Sequence, residues 1–445
     1  MKTLTRSFWA ALVLLFLAWW ITDQTDFSQL TDFFAWRKPL MQASGVVLMG
    51  VMSLAMILAV RPLFLERRLG GLDKLYRLHK WLGISALVLS LGHWLLAQGP
   101  KWLVGLGWLA RPARHGRPPL PDGSWQQMLQ HLHGPAEQVG EWAFYAAALL
   151  MVLALVKYFP YRRFFQTHRL FPLVYLALVF HSVVLLKTDY WSGPAGLVIA
   201  LLMLLGTGAA LLTLFGHRVG QRPVTGKILA LEAHPESGVL NLDIQVPQGW
   251  RGHQAGQFAY LTFHHGEGAH PFTISSAWHG DGRLSFMIKA LGDYTRRLPQ
   301  ALAVGDPVRV EGPYGHFTFG GKPRQIWVGA GIGITPFLAR LDALSTSPAP
   351  EVPEIDLFHP TATYDPNAVA RLTQAAAKAG VKLHLLWEQR DGRLDVERLC
   401  QVVPDWQQAE LWFCGPQGFG QALATGLAAR GFNPDRFHQE LFAMR

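Results

Sequence analysis

The chain has 445 residues, enough for two or three domains, and 50% of them are hydrophobic while 16% are charged, which excludes an ordinary soluble protein. Residues 1–220 carry 20 Lys and Arg against 9 Asp and Glu, a net charge of +11, and the rest carries −1. This distribution is typical of the basic loops of a membrane domain, so we expect no nucleic-acid binding, and two cysteines exclude a disulfide framework.

Six apolar segments in the first half are each long enough to span a membrane, and they cover about 7–22, 41–60, 75–98, 138–158, 168–187 and 194–215. The first resembles a signal peptide, but it ends in Trp19, Trp20 and Ile21 without a small-residue cleavage site, so we interpret it as a helix. The loops at 61–80 and 157–169 are rich in Lys and Arg and are predicted to face the cytoplasm. We therefore expect a multi-pass protein of the inner, or plasma, membrane with both termini in the cytoplasm.

Four histidines lie inside these segments as two matched pairs, His79 with His93 on the third segment and His168 with His181 on the fifth. A titratable ring inside a bilayer is costly and is usually functional. Because the third and fifth segments run in the same direction, His79 matches His168 in depth and His93 matches His181. Neutral imidazoles are axial ligands of haem iron. The quartet therefore predicts two b-type haems, an inner one and an outer one.

The spacing of the second pair departs from this scheme. The two spacings, 14 and 13 residues, each correspond to about 20 Å of helix, but only the first returns nearly to the same helix face. Thirteen residues leave His168 and His181 about 140° apart on an unbroken helix. Pro172 lies between them, and it predicts a kink or a helix start.

The long loop predicted at 99–137 carries Arg111, Arg114 and Arg117 on the expected outer side. Long loops follow the charge rule less strictly. The loop is either a solvated connection, with His131 and His133 at the surface, or a basic rim that attracts an anionic electron acceptor.

At about residue 221 the sequence pattern changes from long apolar segments to short alternating runs. Short alternating runs at 225–232, 239–246, 257–263, 271–276, 284–290 and 307–310 predict a small antiparallel β-barrel. From about 321, strands at 325–329, 354–358, 382–387 and 410–414 alternate with helices at 335–344, 366–379 and 417–430. That alternation predicts a parallel, doubly wound α/β sheet.

Three local motifs lie in this half. A segment from His270 to Ser276 follows a barrel strand, and a second, from Gly292 to Arg297, reads as a helix start suited to a phosphate. The third, Gly329 to Phe337, follows an apolar strand and opens a helix, the context in which glycines let a backbone approach a pyrophosphate.

With the histidine quartet, these motifs resemble the ferric reductase and NADPH oxidase family of transmembrane flavocytochromes, in the manner of a prokaryotic NADPH oxidase-like member. The resemblance covers nearly the whole chain and implies three parts: a transmembrane haem domain at 1–220, a barrel domain that binds FAD at 221–320 and an α/β domain that binds NAD(P)H at 321–445. The last two together imply a ferredoxin-reductase-like module on the cytoplasmic side.

The resemblance also implies the site residues. The FAD-binding set is His270, Pro271, Phe272, Thr273, Ser275, Ser276, Gly292, Tyr294, Thr295 and Arg296. The NAD(P)H-binding set is Gly329, Gly331, Gly333, Thr335, Pro336, Cys414 and Gly415. Two positions are implied in catalysis, Cys414 beside the nicotinamide and Phe442 as the aromatic cover of the flavin. NADPH is favoured by the resemblance, and NADH stays an alternative because no arginine follows the second strand of the sheet, at 358–361. For NADPH, Arg390, which follows the strand at 382–387, and Thr361 are the candidate NAD(P)H-binding residues for the 2′-phosphate.

The predicted activity is electron transfer from cytosolic NADPH through FAD and two haems to an acceptor outside, with oxygen, giving superoxide, favoured. In the family, superoxide producers carry a further histidine one turn beyond the outer ligand, where this chain has Ala97. A ferric chelate, favoured by the loop with Arg111, Arg114 and Arg117, is the first alternative acceptor. A membrane subunit that donates electrons to a periplasmic protein is the second, and a sensor with a degenerate reductase is disfavoured by the intact nucleotide motifs.

Overall fold

The structure, a computed structural model, describes residues 2–110, 123–156, 158–216, 222–263, 268–321, 324–346 and 354–440. The chain divides into two compact units at residues 220 and 221. The predicted fold class is confirmed: apolar helices are followed by an antiparallel barrel and a parallel α/β sheet.

The first unit is helical. Its helices are α1 (Lys2–Thr22), α2 (Phe33–Ala59), α3 (Leu63–Leu69), α4 (Leu72–Gly105), α5 (Trp125–Leu155), α6 (Tyr161–His168), α7 (Phe171–Leu185) and α8 (Pro194–Leu214). Within the described residues, six spans are long and apolar enough to cross a membrane, with α6 and α7 contributing to one of them. Helix α2 packs against α4, and α5 packs against α7.

The predicted bounds of the loop at 99–137 are wrong at both ends. Helix α4 continues to Gly105, and α5 begins at Trp125, so His131 and His133 lie on a helix. The apolar pattern missed this extension because the first turns of α5 are polar. They are started by Ser124, whose side chain accepts a hydrogen bond from the Gln127 amide. The arginines of this loop, Arg111, Arg114 and Arg117, lie outside the described residues.

The second unit begins with the barrel. Its strands are β1 (Val224–His234), β2 (Val239–Gln245), β3 (Phe258–Thr262), β4 (His270–Thr273), β5 (Arg283–Lys289) and β6 (Pro307–Tyr314), in the order β4-β3-β6-β1-β2-β5, with helix α9 (Asp293–Ala301) beside them. A bridge between Ile274 and Phe286 connects the two edge strands and closes the sheet. Inward residues of β2 and β5 alternate with outward ones, as a half-buried barrel strand requires.

The α/β part follows. Its strands are β7 (Arg324–Gly329), β8 (Glu354–Thr361), β9 (Lys382–Trp387), β10 (Glu410–Cys414) and β11 (Phe437–Gln439), and its helices are α10 (Thr335–Thr346), α11 (Pro366–Lys378), α12 (Glu388–Asp391), α13 (Val396–Val402) and α14 (Gln417–Ala429). The strands are parallel in the order β11-β10-β7-β8-β9, so the strand order reverses at β7. Sheets of this kind bind ligands at the carboxyl end of the strands, where the order reverses. The glycine loop after β7 lies at that point.

Candidate functional site

The four predicted histidines meet as two pairs of rings. The centroids of His79 and His168 are 6.0 Å apart, and those of His93 and His181 are 6.4 Å apart. Two imidazoles that bind one metal from opposite sides, through bonds of about 2 Å, have centroids roughly 6 Å apart. Both pairs therefore have the spacing of two axial ligands, and the predicted pairing by depth is the pairing observed.

A break in the fifth span explains how a spacing of 13 residues is accommodated. Helix α6 ends at His168, and α7 begins at Phe171 with Pro172 in its first turn. Of the two predicted effects of Pro172, the structure has the helix start. Because α6 and α7 are separate helices, the rotation of 140° expected for an unbroken helix does not apply.

Backbone carbonyls select the tautomer of one histidine in each pair. The Nδ1 of His79 donates to the carbonyl of Ala55, 2.9 Å away, and the Nδ1 of His181 donates to that of Ala136, 2.8 Å away. A carbonyl only accepts hydrogen bonds, so the proton is on Nδ1 and the Nε2 lone pair remains for a metal.

The other two histidines have different surroundings. His93 Nδ1 lies 2.8 Å from the Ser44 hydroxyl, which itself donates to the carbonyl of Met41, so the hydroxyl oxygen accepts from the ring. His168 Nδ1 is buried without a hydrogen bond to the described residues. Sequence reasoning did not identify Ser44, because no local sequence pattern shows that a serine inside an apolar helix contacts a residue on another helix.

Gly140 lets α5 approach the ring of His181. A Cβ atom at this position would lie 1.9 Å from His181 Nδ1, far inside van der Waals contact. The glycine is one turn after Ala136, whose carbonyl binds the same ring. The position of His181 thus depends on a glycine that the sequence analysis did not single out.

Arg37 is a second residue that sequence reasoning missed. Its Nε donates to the carbonyl of Leu96, 2.6 Å away, one turn past His93. Pro100 lies four residues after Leu96 and has no amide hydrogen, so the helix itself cannot satisfy this carbonyl. The signal available in the sequence was an arginine on the expected outer side, against the usual charge asymmetry.

The segment predicted to bind FAD forms β4 and the turn after it. The ring of His270 stacks on Tyr294, with centroids 4.1 Å apart. The two segments predicted to bind FAD, 270–276 and 292–297, are therefore in contact. Burial lowers the pKa of His270 to about 4, which leaves the ring neutral at physiological pH. Pro271, Phe272 and Thr273 complete the strand and are all partly exposed.

The serines after β4 participate in the barrel. The Ser275 amide donates to the carbonyl of Ser285, and the Ser276 hydroxyl accepts from the amide of Ser285. These bonds hold the segment beside β5. The Ser276 hydroxyl retains its own proton for a ligand.

The second FAD motif begins helix α9 as predicted. Gly292 is its N-cap, and the Thr295 hydroxyl accepts hydrogen bonds from the amides of Leu291 and Gly292. Arg296 is exposed in the first turn. A helix N-terminus beside an exposed guanidinium is suited to a phosphate.

The glycine loop lies against the end of β10. The Ala330 amide donates to the carbonyl of Cys414, 2.9 Å away, and a Cβ at Gly333 would lie 2.1 Å from that oxygen. Gly331 has a φ of +54°, which favours glycine. Thr335 and Pro336 begin α10 directly after the loop. The glycine loop, Cys414 and Gly415 are thus brought together at one end of the sheet, and Arg390 is not among their contacts within the described residues.

The thiol of Cys414 is part of the core. The residue is 6% exposed and packs in a cluster with Phe317, Phe337 and Trp412. Burial raises the pKa of the thiol, so it is protonated. Its backbone borders the glycine loop, and Gly415 packs against Ala330.

Arg390, the predicted ligand of a 2′-phosphate, is exposed and paired with Asp391 through two hydrogen bonds of 2.9 and 3.0 Å. A phosphate at this position would have to compete with a carboxylate for the guanidinium. Phe442, the predicted cover of the flavin, lies outside the described residues.

Two family models match the chain. Residues 44–179 match the ferric reductase like transmembrane component, and residues 225–318 match an FAD-binding domain. The first match includes all of the histidines in the two pairs except His181, and the second includes both FAD motifs.

Several characterised proteins are similar to parts of the chain. An NADPH oxidoreductase of Mycobacterium tuberculosis is 30% identical over 40% of this chain and 47% of its own length. Dual oxidase 2 of Sus scrofa is 29% identical over 60% of this chain and 18% of its own length. The chain thus spans less than half of these relatives. Among solved structures, the Amycolatopsis cytochrome P450 reductase GcoB is 21% identical, with a TM-score of 0.44 over 51% of this chain and 72% of that one.

Proposed function

We propose that this chain, which belongs to the ferric reductase and NADPH oxidase family, transfers electrons from NADPH through FAD and two b-type haems across a membrane. The observation that carries the proposal is the pair of ring separations, 6.0 and 6.4 Å, within the six apolar spans. A haem bound by both histidines of a pair would have no open iron coordination site and would carry one electron at a time.

The chain's own residues would hold each haem in a fixed orientation. His79 and His168 would bind one iron, and His93 and His181 the other. The carbonyls of Ala55 and Ala136 keep Nε2 of His79 and His181 free of protons, so these rings are ready to bind a metal. Because these contacts involve helices other than those of the ligands, helix packing sets the ligand geometry.

In the second unit, His270, Tyr294 and the start of α9 would bind FAD, and the glycine loop would bind NADPH. Flavin supplies the change from two-electron to one-electron chemistry, which nicotinamide does not readily provide. The protein's task is to bind and orient the two nucleotides and to exclude water, and little acid–base catalysis is required. The protonated, buried Cys414 thiol is consistent with a role in packing beside the nicotinamide and not with a nucleophile.

We further propose that the flavin module is cytoplasmic, that the membrane is the inner membrane and that oxygen is the acceptor, with superoxide as the product. The basic loops of the first unit support this orientation. The dual oxidases and respiratory burst oxidases among the relatives support oxygen. The Arg37 guanidinium near His93 supplies a positive charge that would attract an anionic ferric chelate or stabilise an anionic product such as superoxide.

The first experiment is to purify the full chain in detergent, add FAD and NADPH without oxygen and record the visible spectrum. Two six-coordinate haems per chain, both reduced by NADPH, are expected. A preparation that binds no haem, or haem that NADPH never reduces, would refute the electron pathway.

The acceptor is tested next by measuring superoxide and ferrous iron formation with the same preparation. Superoxide as the main product supports the oxidase, and rapid reduction of a ferric chelate with little superoxide supports the alternative. Reduced haems that neither oxygen nor a ferric chelate reoxidises would favour a periplasmic protein partner.

A further inference from the structure

His359 lies near the carboxyl end of β8, beside the start of the glycine loop, and has no part in the function proposed above. Its Nδ1 is 2.6 Å from the carbonyl oxygen of Gly329. Because a carbonyl only accepts, Nδ1 carries a proton and donates it. Burial lowers the pKa of His359, so the ring is neutral and Nε2 carries a lone pair.

This contact completes a clamp on a single peptide unit. The unit that joins Gly329 to Ala330 is planar and has one carbonyl and one amide. The carbonyl accepts from His359 on the β8 side, and the amide donates to the carbonyl of Cys414 on the β10 side. Both polar ends of the unit are therefore held, and its orientation is set by the strands on either side of β7.

The orientation of this peptide matters because the glycine loop begins here. Gly331 has a φ of +54°, and among the described residues nothing lies within 4 Å of its Cβ position, so those surroundings do not restrict it. A loop that binds a pyrophosphate does so with backbone N–H groups, which must point at the ligand before it arrives. Fixing the first peptide directs the chain that follows.

We infer that His359 is a positioning residue for the nicotinamide nucleotide, because it orients the Gly329–Ala330 peptide and thereby the N–H groups that would bind the pyrophosphate. The inference rests on the proposed function, which supplies the ligand. In dinucleotide-binding sheets an acidic residue following the second strand binds the ribose. His359 instead donates to the loop, so its effect concerns the pyrophosphate, which NADH and NADPH share.

The test uses the full chain in detergent with FAD bound, titrated with NADP⁺ and with NAD⁺ while flavin absorbance is recorded. The variant His359→Leu removes the donor, and we expect both dissociation constants to rise about tenfold, equal to about 1.4 kcal/mol. The variant His359→Asn keeps an N–H donor near the position of Nδ1, and we expect it to recover most of the affinity.

A matched control separates positioning from the loss of a partly buried histidine on the neighbouring strand. His384 on β9 binds the Asp356 carboxylate at 2.6 Å, near the start of β8. We expect His384→Leu to lower the melting temperature without changing either dissociation constant.

Four outcomes would overturn the inference. They are an unchanged affinity in His359→Leu, a loss confined to one of the two nucleotides, no recovery in His359→Asn, and an equal loss of affinity in His384→Leu. If the wild-type protein binds neither nucleotide, the proposed function fails together with the inference. If it binds them and His359→Leu binds equally well, only the inference fails.

Discussion

The variant Gly140→Ala tests whether helix packing positions His181. The added Cβ would lie 1.9 Å from His181 Nδ1, whereas non-bonded atoms approach to about 3.5 Å, so the ring or the helix must move by roughly 1.5 Å. That movement breaks the bond of 2.8 Å to Ala136, at a cost of about 1–3 kcal/mol. A displacement of this size is comparable to the length of a metal–nitrogen bond, about 2 Å.

The expected result is loss of the haem proposed at His93 and His181 with retention of the one proposed at His79 and His168. Haem content, measured from the reduced visible spectrum per mole of protein, should fall from two to one. An alanine in place of a glycine ordinarily stabilises a helix by about 1 kcal/mol. Helix propensity alone therefore predicts that Gly140→Ala stabilises the protein and leaves both haems in place. Gly134→Ala on the same helix is the control, because in the part of the chain that the structure describes nothing beyond the helix's own backbone and the two chain neighbours lies within 4 Å of its Cβ position. Two haems with an unchanged spectrum in Gly140→Ala would refute the reasoning.

Three further predictions concern other parts of the chain. Asp342 on α10 accepts a hydrogen bond of 2.9 Å from the amide of Ala277, just after the segment predicted to bind FAD. Asp342→Ala should therefore slow flavin reduction by NADPH about tenfold, whereas Asp342→Asn keeps an acceptor and should not. Equal stopped-flow rates for the two variants would contradict this. Arg37→Leu leaves the Leu96 carbonyl without its donor and should lower the free energy of unfolding by about 1–3 kcal/mol. Adding Pro100→Ala supplies a backbone amide for that carbonyl and should restore the stability, so a double variant no more stable than Arg37→Leu would disprove the compensation. Burial lowers the pKa of His270 in the folded state from 6.5 to about 4, so the unfolded chain binds the proton at a higher pH and the free energy of unfolding should fall as the pH drops from 6.5 towards 4. In urea unfolding, His270→Gln should show a weaker dependence of that free energy on pH. An unchanged dependence would exclude His270 as its cause.

Much of the architecture was predictable because it depends on consecutive residues. Hydropathy identified six spans, and alternation identified the barrel and the parallel sheet. The glycine loop was predictable for the same reason, since strand, loop and helix follow one another without interruption from Arg324 to Thr346. Strand β11 escaped prediction because its three residues are too few to show a period.

The start of α5 shows where local patterns are insufficient. Its first turns are polar, so hydropathy placed the helix start 13 residues too late, whereas the cap at Ser124 defines it. The break between α6 and α7 was foreseen at Pro172 only as one of two effects. Which effect occurs depends on how the two helices pack against the rest of the unit.

The sequence by itself determined which segments are long and apolar enough to span a membrane and that four histidines lie on two of them at matching positions, because hydropathy and helical rise are properties of neighbouring residues. Only the tertiary structure decided which atoms those histidines contact. Ala55 is 24 residues from His79, Ala136 is 45 from His181 and Ser44 is 49 from His93. Such contacts exist only after separate helices have packed, since they depend on side-chain volume and on a glycine where two helices approach closely.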